Sequence, residues 1–367
     1  GLTWENVQTL DFGFDFSLIN RIHGTFDYYN KNTVNAIWDQ PIAYSLGQSS
    51  LQKNSARIVN SGFEVELGLD IIKKENMFWS VTFTGTHYTT VLKKVPPGVG
   101  SATLDGNWTA NADAWSASGG GTSSNVTYLR CIGKDYYNMY LFKYAGVDQT
   151  TGLPLFYHKV TEADHTSGNF TDVEVGGDAK TTNYSIASRY ENGSAIPDWI
   201  GGFNTTFRYK NFDFTGMLAY QLGGLFYSNE YGNGMYRSDN LNSALSAELI
   251  GNTWTPNNKD AKFPMVMYGN TYGDGSTFGS WMYTDMALFS ASYLNLKNLT
   301  LGYTLPADLT QKFKVRNLRL YVSADNLLML TSHSGIDPRM SLIGGLEVGA
   351  YSYPSMRTIS FGVNLDL

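Results

Sequence analysis

The residues best suited to chemistry are aromatic side chains set among Asn, Ser, Thr and Gly in two long segments. Such rings can stack on the faces of sugars, while their polar neighbours form adaptable hydrogen bonds. The candidates for substrate contact are Trp108, Trp115, Tyr136 and Tyr137 in the first segment and Trp254, Tyr268, Tyr272, Trp281 and Tyr283 in the second. The alternative is that these rings pack the segments themselves or line a membrane interface. Both interpretations stay open.

A second chemically suited group consists of His158 and His165, which flank Glu162 and Asp164. Their spacing matches no metal-binding signature, and a solvated cluster of loop charges is the preferred interpretation. The sequence contains no GxSxG, HExxH or phosphate-loop motif. We therefore predict that the protein is not an enzyme and has no catalytic residue, no metal site and no cofactor.

The composition indicates a β protein rather than a disordered or nucleic-acid-binding one. Of the 367 residues, 14% are aromatic and only 16% are charged, against about 25% charged in average soluble domains. A net charge of -6 leaves no basic footprint for nucleic acid. The single cysteine, Cys131, excludes an intrachain disulfide. No apolar run reaches the ~18 to 20 residues of a membrane helix, but a barrel strand needs only about 10 alternating residues.

The elements that would position these residues alternate apolar and polar side chains with period 2, which is typical of a strand with two different faces. In the first strand, Phe12 and Phe14 share one face while Asp11 and Asp15 share the other. Nine strands are predicted in this way, at 10–18, 22–29, 63–71, 79–84, 199–209, 212–222, 299–305, 318–324 and 359–367.

The connections between these strands are alternately short and long, and the long ones cover 39–55, 94–196, 229–286 and 332–353. An outer-membrane barrel has short periplasmic turns at one rim and long external loops at the other. The pattern predicts an antiparallel transmembrane β-barrel with a periplasmic C-terminus. Bacterial barrels close with an even number of strands, so we expect further strands from outside this chain. A soluble sandwich is the alternative, although its strands are usually only about 5 or 6 residues long.

One loop segment has helical rather than strand spacing. Leu241, Leu245 and Leu249 recur every four residues, with Asp239 near the start and Gly251 just past the end. We predict a short helix that supports the loop. A docking surface for a partner protein is the alternative.

Several longer motifs carry a resemblance to a known family. The run from Ser292 to Pro306, SYLNLKNLTLGYTLP, is similar to the family signature YLRLKNLTLGYTLP. Further matches, in family order, are RIVNSGFE at 57–64, AGVDQTTGLP at 145–154, PDWIGGFN at 197–204 with YKNFD at 209–213, WTPNNKDAKFP at 254–264, and SADNL at 323–327 with Asp337-Pro338. Together these segments resemble SusC-like TonB-dependent transporters of Bacteroidetes over nearly the whole chain.

The resemblance implies that residues 1–367 are the C-terminal part of a 22-stranded barrel, with the plug domain and earlier strands preceding Gly1. It also implies energy-coupled import of oligosaccharides or oligopeptides across the outer membrane. The implied partners are a SusD-like surface lipoprotein, the TonB complex acting through the N-terminal part, the substrate and outer-membrane lipid. Two departures are the absence of a DxNxDG stretch between Phe170 and Pro197, and Leu367 where an aromatic residue usually ends the chain.

Three other functions stay open at this stage. A surface adhesin or a passive porin-like barrel would share the two-faced strands but would lack a plug domain and a TonB-contacting segment. A soluble glycan-binding β domain would share the aromatic loops but would bury the apolar faces.

Overall fold

The computed structural model describes residues 1–96, 112–116, 127–235, 244–267, 278–333, 335–339, 347–348 and 355–366. The strands within these ranges are β1 (Asn6–Leu18), β2 (Ile22–Pro41), β3 (Ser50–Lys74), β4 (Met77–Lys94), β5 (Ala112–Ser116), β6 (Thr127–Cys131), β7 (Asn138–Phe142), β8 (Tyr144–Val147), β9 (Pro154–Lys159), β10 (Asp178–Thr181), β11 (Arg189–Ser194), β12 (Trp199–Tyr209), β13 (Phe212–Leu222), β14 (Leu225–Ser228), β15 (Leu288–Ser290), β16 (Tyr293–Thr304), β17 (Asn317–Thr331), β18 (Glu347–Val348) and β19 (Thr358–Asp366). The α-helices are α1 (Glu162–Thr166), α2 (Asn229–Met235) and α3 (Ala307–Thr310). The 3-10 turns are Tyr44–Leu46, Tyr184–Ile186, Ala247–Leu249, Phe278–Tyr283, Asp285–Ala287 and Gln311–Phe313.

Nine of these strands form one antiparallel sheet in the order β1-β2-β3-β4-β12-β13-β16-β17-β19. They correspond to the nine strands predicted from alternation, and that prediction is confirmed. The alternation of short and long connections is confirmed as well. The first long connection, predicted at 39–55, is only 42–49, because β2 and β3 stay paired until Pro41 lies opposite Ser50.

The two faces of the nine-stranded sheet differ in chemistry from strand to strand. Positions paired across neighbouring strands point to the same face. One row of paired positions is apolar: Trp79, Phe207, Phe214, Leu301, Val322 and Phe361. The row beside it, on the other face, is polar: Asp70, Ser80, Thr206, Thr215, Thr300, Ser323 and Ser360.

The apolar face is uncovered within the described residues. Phe12, Phe361 and Val363 expose 62%, 84% and 63% of their surface. A soluble sandwich would bury these side chains against a second sheet. The soluble alternative is therefore wrong, and the sheet is the partial barrel that the alternation predicts.

A bulge at Lys297 shifts the alternation within β16. Leu296 pairs with Leu218 and Leu299 pairs with Gly216, so Lys297 is one extra residue relative to β13. Both leucines consequently lie on the apolar face, although they are three residues apart. This break explains why the predicted strand began only at Leu299, whereas β16 begins at Tyr293.

The long connections carry their own small sheets and most of the buried apolar side chains. Three sheets, with the orders β10-β9-β8, β11-β7-β6-β5 and β15-β14-β18, lie in these connections. Their cores include Tyr128, Phe156, Phe263 and Trp281, each at most 2% exposed. The long-loop rim is thus a folded assembly that stands beyond the sheet.

The helix predicted around Leu241–Leu249 differs from the structure where the two can be compared. Asp239 and Leu241 lie outside the described residues. Between 244 and 250 the chain forms only the 3-10 turn Ala247–Leu249, in which Leu249 is buried and Leu245 is exposed. No helix within the described ranges is long and apolar enough to cross a membrane.

Candidate functional site

The predicted substrate-contacting aromatics are distributed over the long-loop rim. Trp108, Tyr268 and Tyr272 lie outside the described residues, and Trp115 lies on β5, where only the backbone is described. Tyr136, Tyr137, Trp254 and Tyr283 are half-buried, and Trp281 is buried. Their role in substrate contact stays a prediction.

Tyr136 and Tyr137 dock the first large loop onto the barrel wall. The Tyr136 amide donates to the carbonyl of Thr90 on β4 (2.8 Å). The Tyr136 ring lies 4.1 Å from the guanidinium of Arg130 and meets Tyr137 edge-on at 5.0 Å. Beneath it, Asp135 accepts a hydrogen bond from the Tyr137 amide (2.8 Å), and burial raises the pKa of this carboxyl. The two rings therefore help to hold the loop in place.

Trp254 joins the two large loops. Its indole nitrogen donates to the carbonyl of Gln149 (3.1 Å), and the Gln149 amide donates to Asp260 (2.6 Å). The ring lies against Gly152, where an added Cβ would come within 2.4 Å of it. Gly152 also has a φ of +76°, which glycine adopts without strain. The AGVDQTTGLP and WTPNNKDAKFP motifs thus form one interlocked unit.

Trp281 belongs to the core of the rim. It is 2% exposed and packs 6.1 Å from Phe263 and 6.3 Å from Tyr144, measured between ring centroids. Burial raises the pKa of the Tyr144 phenol. This position favours the loop-packing interpretation for Trp281. Tyr283 packs at the edge of the same core.

A cavity of about 390 Å³ opens between the second large loop and the end of β17. Its lining consists of Tyr231, Glu248, Asn252, Lys262, Phe263, Met286, Phe289 and His333. The Tyr231 hydroxyl donates to one carboxylate oxygen of Glu248 (2.8 Å), and His333 Nε2 lies 3.1 Å from the other. Phe289 packs against both Tyr231 and His333, at 4.9 and 4.7 Å between ring centroids.

The hydrogen bonds in this cavity fix its charge. The bond from Tyr231 lowers the pKa of Glu248, with burial opposing the shift and His333 adding to it. Burial and the neighbouring Glu248 raise the pKa of Tyr231. The carboxylate therefore stays ionised and the phenol protonated near neutral pH. A fixed acceptor beside aromatic walls is suited to binding polar ligands.

The sequence predictions missed this cavity as a site. Tyr231 is not among the predicted substrate-contacting aromatics, and Glu248 and His333 are 85 residues apart. A contact between residues so far apart leaves no local pattern in the sequence.

The histidine-carboxylate group is a helix cap. Asp164 accepts hydrogen bonds from the Thr161 amide (2.7 Å) and hydroxyl (2.6 Å), and His158 Nε2 lies 3.0 Å away. The Thr161 bonds, followed by His158, lower the pKa of Asp164 to about 2. The His158 side chain is only 8% exposed, whereas Glu162 is exposed and Asp164 and His165 are half-buried, so the interpretation as a solvated charge cluster does not hold for His158. Within the described ranges, no group of three or more His, Cys, Asp or Glu side chains could hold a metal ion.

The chain is similar to large bacterial receptors over nearly its whole length. It is 29% identical over 379 residues to TonB-dependent receptor P3 of Formosa agariphila, covering 99% of the chain and 34% of the relative. It is 23% identical over 368 residues to TonB-dependent receptor SusC of Bacteroides thetaiotaomicron, covering 100% of the chain and 32% of the relative. The chain thus spans about a third of the length of these relatives. No family model matches it.

A solved structure shares the fold. The RagAB peptide importer in its "open-open" state superposes with a TM-score of 0.73 at 24% identity, covering 100% of this chain and 35% of that one. At this identity the likeness establishes the fold alone.

Proposed function

Because this chain is the barrel part of a SusC-like TonB-dependent transporter, we propose that it serves an outer-membrane importer of oligosaccharides or oligopeptides. RagAB, whose structure shares this fold, is a peptide importer, which supports the oligopeptide alternative. The aromatic loops suit glycans equally well. The chain contributes binding surface and wall, and it carries out no bond chemistry.

The observation that carries this proposal is the two-faced sheet. Its apolar rows suit hydrocarbon, and its Ser- and Thr-rich rows suit a water-filled interior. The folded rim of long loops adds the concave surfaces that a ligand needs. In this arrangement the rim faces the outside of the cell and the C-terminus faces the periplasm.

The proposed partners are those that the resemblance to SusC-like transporters implies. A SusD-like lipoprotein covers the long-loop rim and delivers substrate to the loops. The TonB complex acts through a plug domain and N-terminal segments outside this chain, which supply the work of transport. No cofactor takes part in this segment.

Growth experiments test the import function. A strain lacking the full-length transporter should fail to grow on one glycan or peptide and recover when the transporter is restored. The same defect should appear when TonB is removed, because a passive porin or an adhesin would not depend on TonB. Normal growth of the deletion strain on every glycan and peptide would contradict the proposal.

Labelling of intact cells tests the orientation. Lys180 lies on β10 in the first large loop, and Lys74 ends β3 beside a short turn; both are exposed. A Lys180→Cys variant should react with a membrane-impermeant maleimide, and a Lys74→Cys variant should react only after lysis. The native Cys131 is 8% exposed and provides a low background. The reverse labelling pattern would show that the barrel has the opposite orientation in the membrane.

A further inference from the structure

The small sheet β10-β9-β8 has one buried face and one charged face. On β9, Phe156 and His158 are buried, whereas Tyr157 and Lys159 alternate with them on the outer side. The register places Lys180 opposite Tyr157 and Asp178 opposite Lys159 on that side. The outer face therefore carries aromatic and charged groups together.

Two tyrosine rings form the centre of this face. Tyr157 and Tyr190 pack edge to face with their centroids 6.3 Å apart. Lys143 Nζ lies 5.0 Å from the Tyr157 centroid and 5.6 Å from that of Tyr190. Lys180 lies 5.8 Å from Tyr157, and Lys159 lies 6.0 Å from Tyr190. We call these five residues the lysine-tyrosine face.

Positive charge exceeds negative charge on this face. Asp178 accepts hydrogen bonds from Lys159 (3.3 Å) and from the Tyr190 hydroxyl (2.8 Å). The ion pairs of the described residues include Lys159 but neither Lys143 nor Lys180, both of which are exposed. Burial raises the pKa of Asp285, which accepts a hydrogen bond from the Tyr144 amide (2.8 Å), and the nearby charge of Lys143 opposes that shift.

This local excess contrasts with the net charge of -6 of the whole chain. The ammonium groups of Lys143 and Lys180 lie over the tyrosine rings on flexible stems, and such groups can turn towards an arriving anion. A ring beside them offers an apolar surface on which a sugar can stack. Carboxylate or sulfate groups on a sugar chain match both features at once.

We propose that the lysine-tyrosine face binds anionic oligosaccharides, whose acidic groups contact Lys143 and Lys180 and whose sugar rings stack on Tyr157. None of the five residues lines the Tyr231-Glu248-His333 cavity. The inference rests on the proposed function, in which this rim faces the outside of the cell. It would concentrate acidic glycans before their entry into the barrel.

Calorimetry on the purified full-length transporter tests this inference, with hexagalacturonate and neutral maltohexaose as probes of equal length. We expect hexagalacturonate to bind at least about tenfold more tightly and to weaken as salt is added. The double variant Lys143→Gln/Lys180→Gln should remove this preference. A Lys53→Gln/Lys259→Gln control, which neutralises two other exposed lysines, should keep it.

Two further arms separate sugar binding from simple charge attraction. Tyr157→Phe should keep the affinity for hexagalacturonate, and Tyr157→Leu should reduce it several-fold. If hexaglutamate binds as tightly as hexagalacturonate, the ligand is not specifically a carbohydrate. If the lysines are needed for binding to anionic phosphatidylglycerol vesicles and the sugar does not bind, the ligand is a lipid surface. Unchanged affinity in Lys143→Gln/Lys180→Gln would overturn the site itself. Since binding is measured without import, these failures leave the growth test of import unaffected.

Discussion

Arg319 on β17 and Asp213 on β13 form an ion pair that passes over the intervening strand β16 at Gly302. Arg319 Nε donates to Asp213 Oδ1 at 2.9 Å, and its terminal nitrogen reaches Oδ2. A Cβ at Gly302 would lie 2.4 Å from the guanidinium and 2.5 Å from the carboxylate. Because Gly302 has no side chain, the ion pair can cross β16 on the polar face and connect β13 with β17, which are not neighbours in the sheet.

Removing either partner of this pair should destabilise the barrel. We expect Asp213→Asn and Arg319→Gln to show a coupling of about 1 kcal/mol in a double-mutant cycle, because the pair is bidentate and both side chains are half-buried. Gly302→Ala should abolish the coupling by displacing both side chains. Urea unfolding of the full-length transporter in detergent measures these effects. Strictly additive single variants would contradict the connection.

The assignment of faces predicts opposite responses to one charged substitution. Phe14 and Leu301 lie on the apolar face and are 50% and 47% exposed, whereas Thr206 lies in the polar row. Phe14→Arg or Leu301→Arg should block outer-membrane assembly, because arginine on the lipid face near the midplane costs ~2 to 4 kcal/mol. Thr206→Arg should assemble at a near-normal level. Quantifying folded barrel in outer-membrane fractions compares the three, and equal assembly would refute the assignment.

The strands of the barrel could be predicted from sequence because each one repeats a local pattern. β12 and β13 have the predicted bounds, since nothing interrupts their alternation. β16 was predicted too short because the bulge at Lys297 changes which residues face outward. The same physical rule therefore accounts for both the success and the error.

The folded rim could not be predicted in the same way, because its contacts join distant residues. β7 pairs with β11 about 50 residues later, and the strands involved are too short to show a period. The sequence indicated that Trp281 lies in an aromatic loop, but it contained no signal that the ring would be buried. The cavity around Glu248 is likewise assembled only by the tertiary fold.

Adding a side chain at Gly152, where Trp254 packs, should disorder the two loops that this contact joins. Gly152 and Gly168 both have a φ of +76°, but only Gly152 would bring a Cβ against another residue. Gly168→Ala thus measures the backbone cost alone, on the order of 1 kcal/mol. Gly152→Ala should add a clash with Trp254 and speed amide exchange in both interlocked motifs.

A Trp254→Ala background provides the control for this comparison. Without the indole ring, the Gly152→Ala variant should behave like Gly168→Ala, because only the backbone cost remains. Hydrogen-exchange mass spectrometry of residues 145–154 and 254–264 gives the measurement. Equal exchange in Gly152→Ala and Gly168→Ala with Trp254 present would show that the ring does not lock the loops.

The cap of α1 predicts a pH dependence with a definite sign. The pKa of Asp164 is lowered from 3.8 to about 2 by the Thr161 hydrogen bonds and His158. A lowered folded-state pKa means that the stabilisation is complete above pH 3.8 and is lost as the pH falls towards about 2. Protection of the amides in 161–169, corrected for intrinsic exchange, should therefore fall in that window. Asp164→Asn should flatten the profile, whereas the exposed Asp172→Asn should not.

Removing the negative charge of Glu248 should weaken ligand binding in the cavity. The Tyr231 hydrogen bond, opposed by burial and aided by His333, holds the pKa of Glu248 below its usual value, so the carboxylate is ionised at neutral pH. Glu248→Gln keeps the shape but removes this charge, and it should weaken binding of the glycan or peptide identified by growth by about tenfold. In the wild type, affinity should be constant above pH 4.5 and fall as Glu248 is protonated. Glu174→Gln, an exposed loop carboxylate, serves as the control. If Glu248→Gln and Glu174→Gln bind the substrate equally well in calorimetry, the cavity does not contact it.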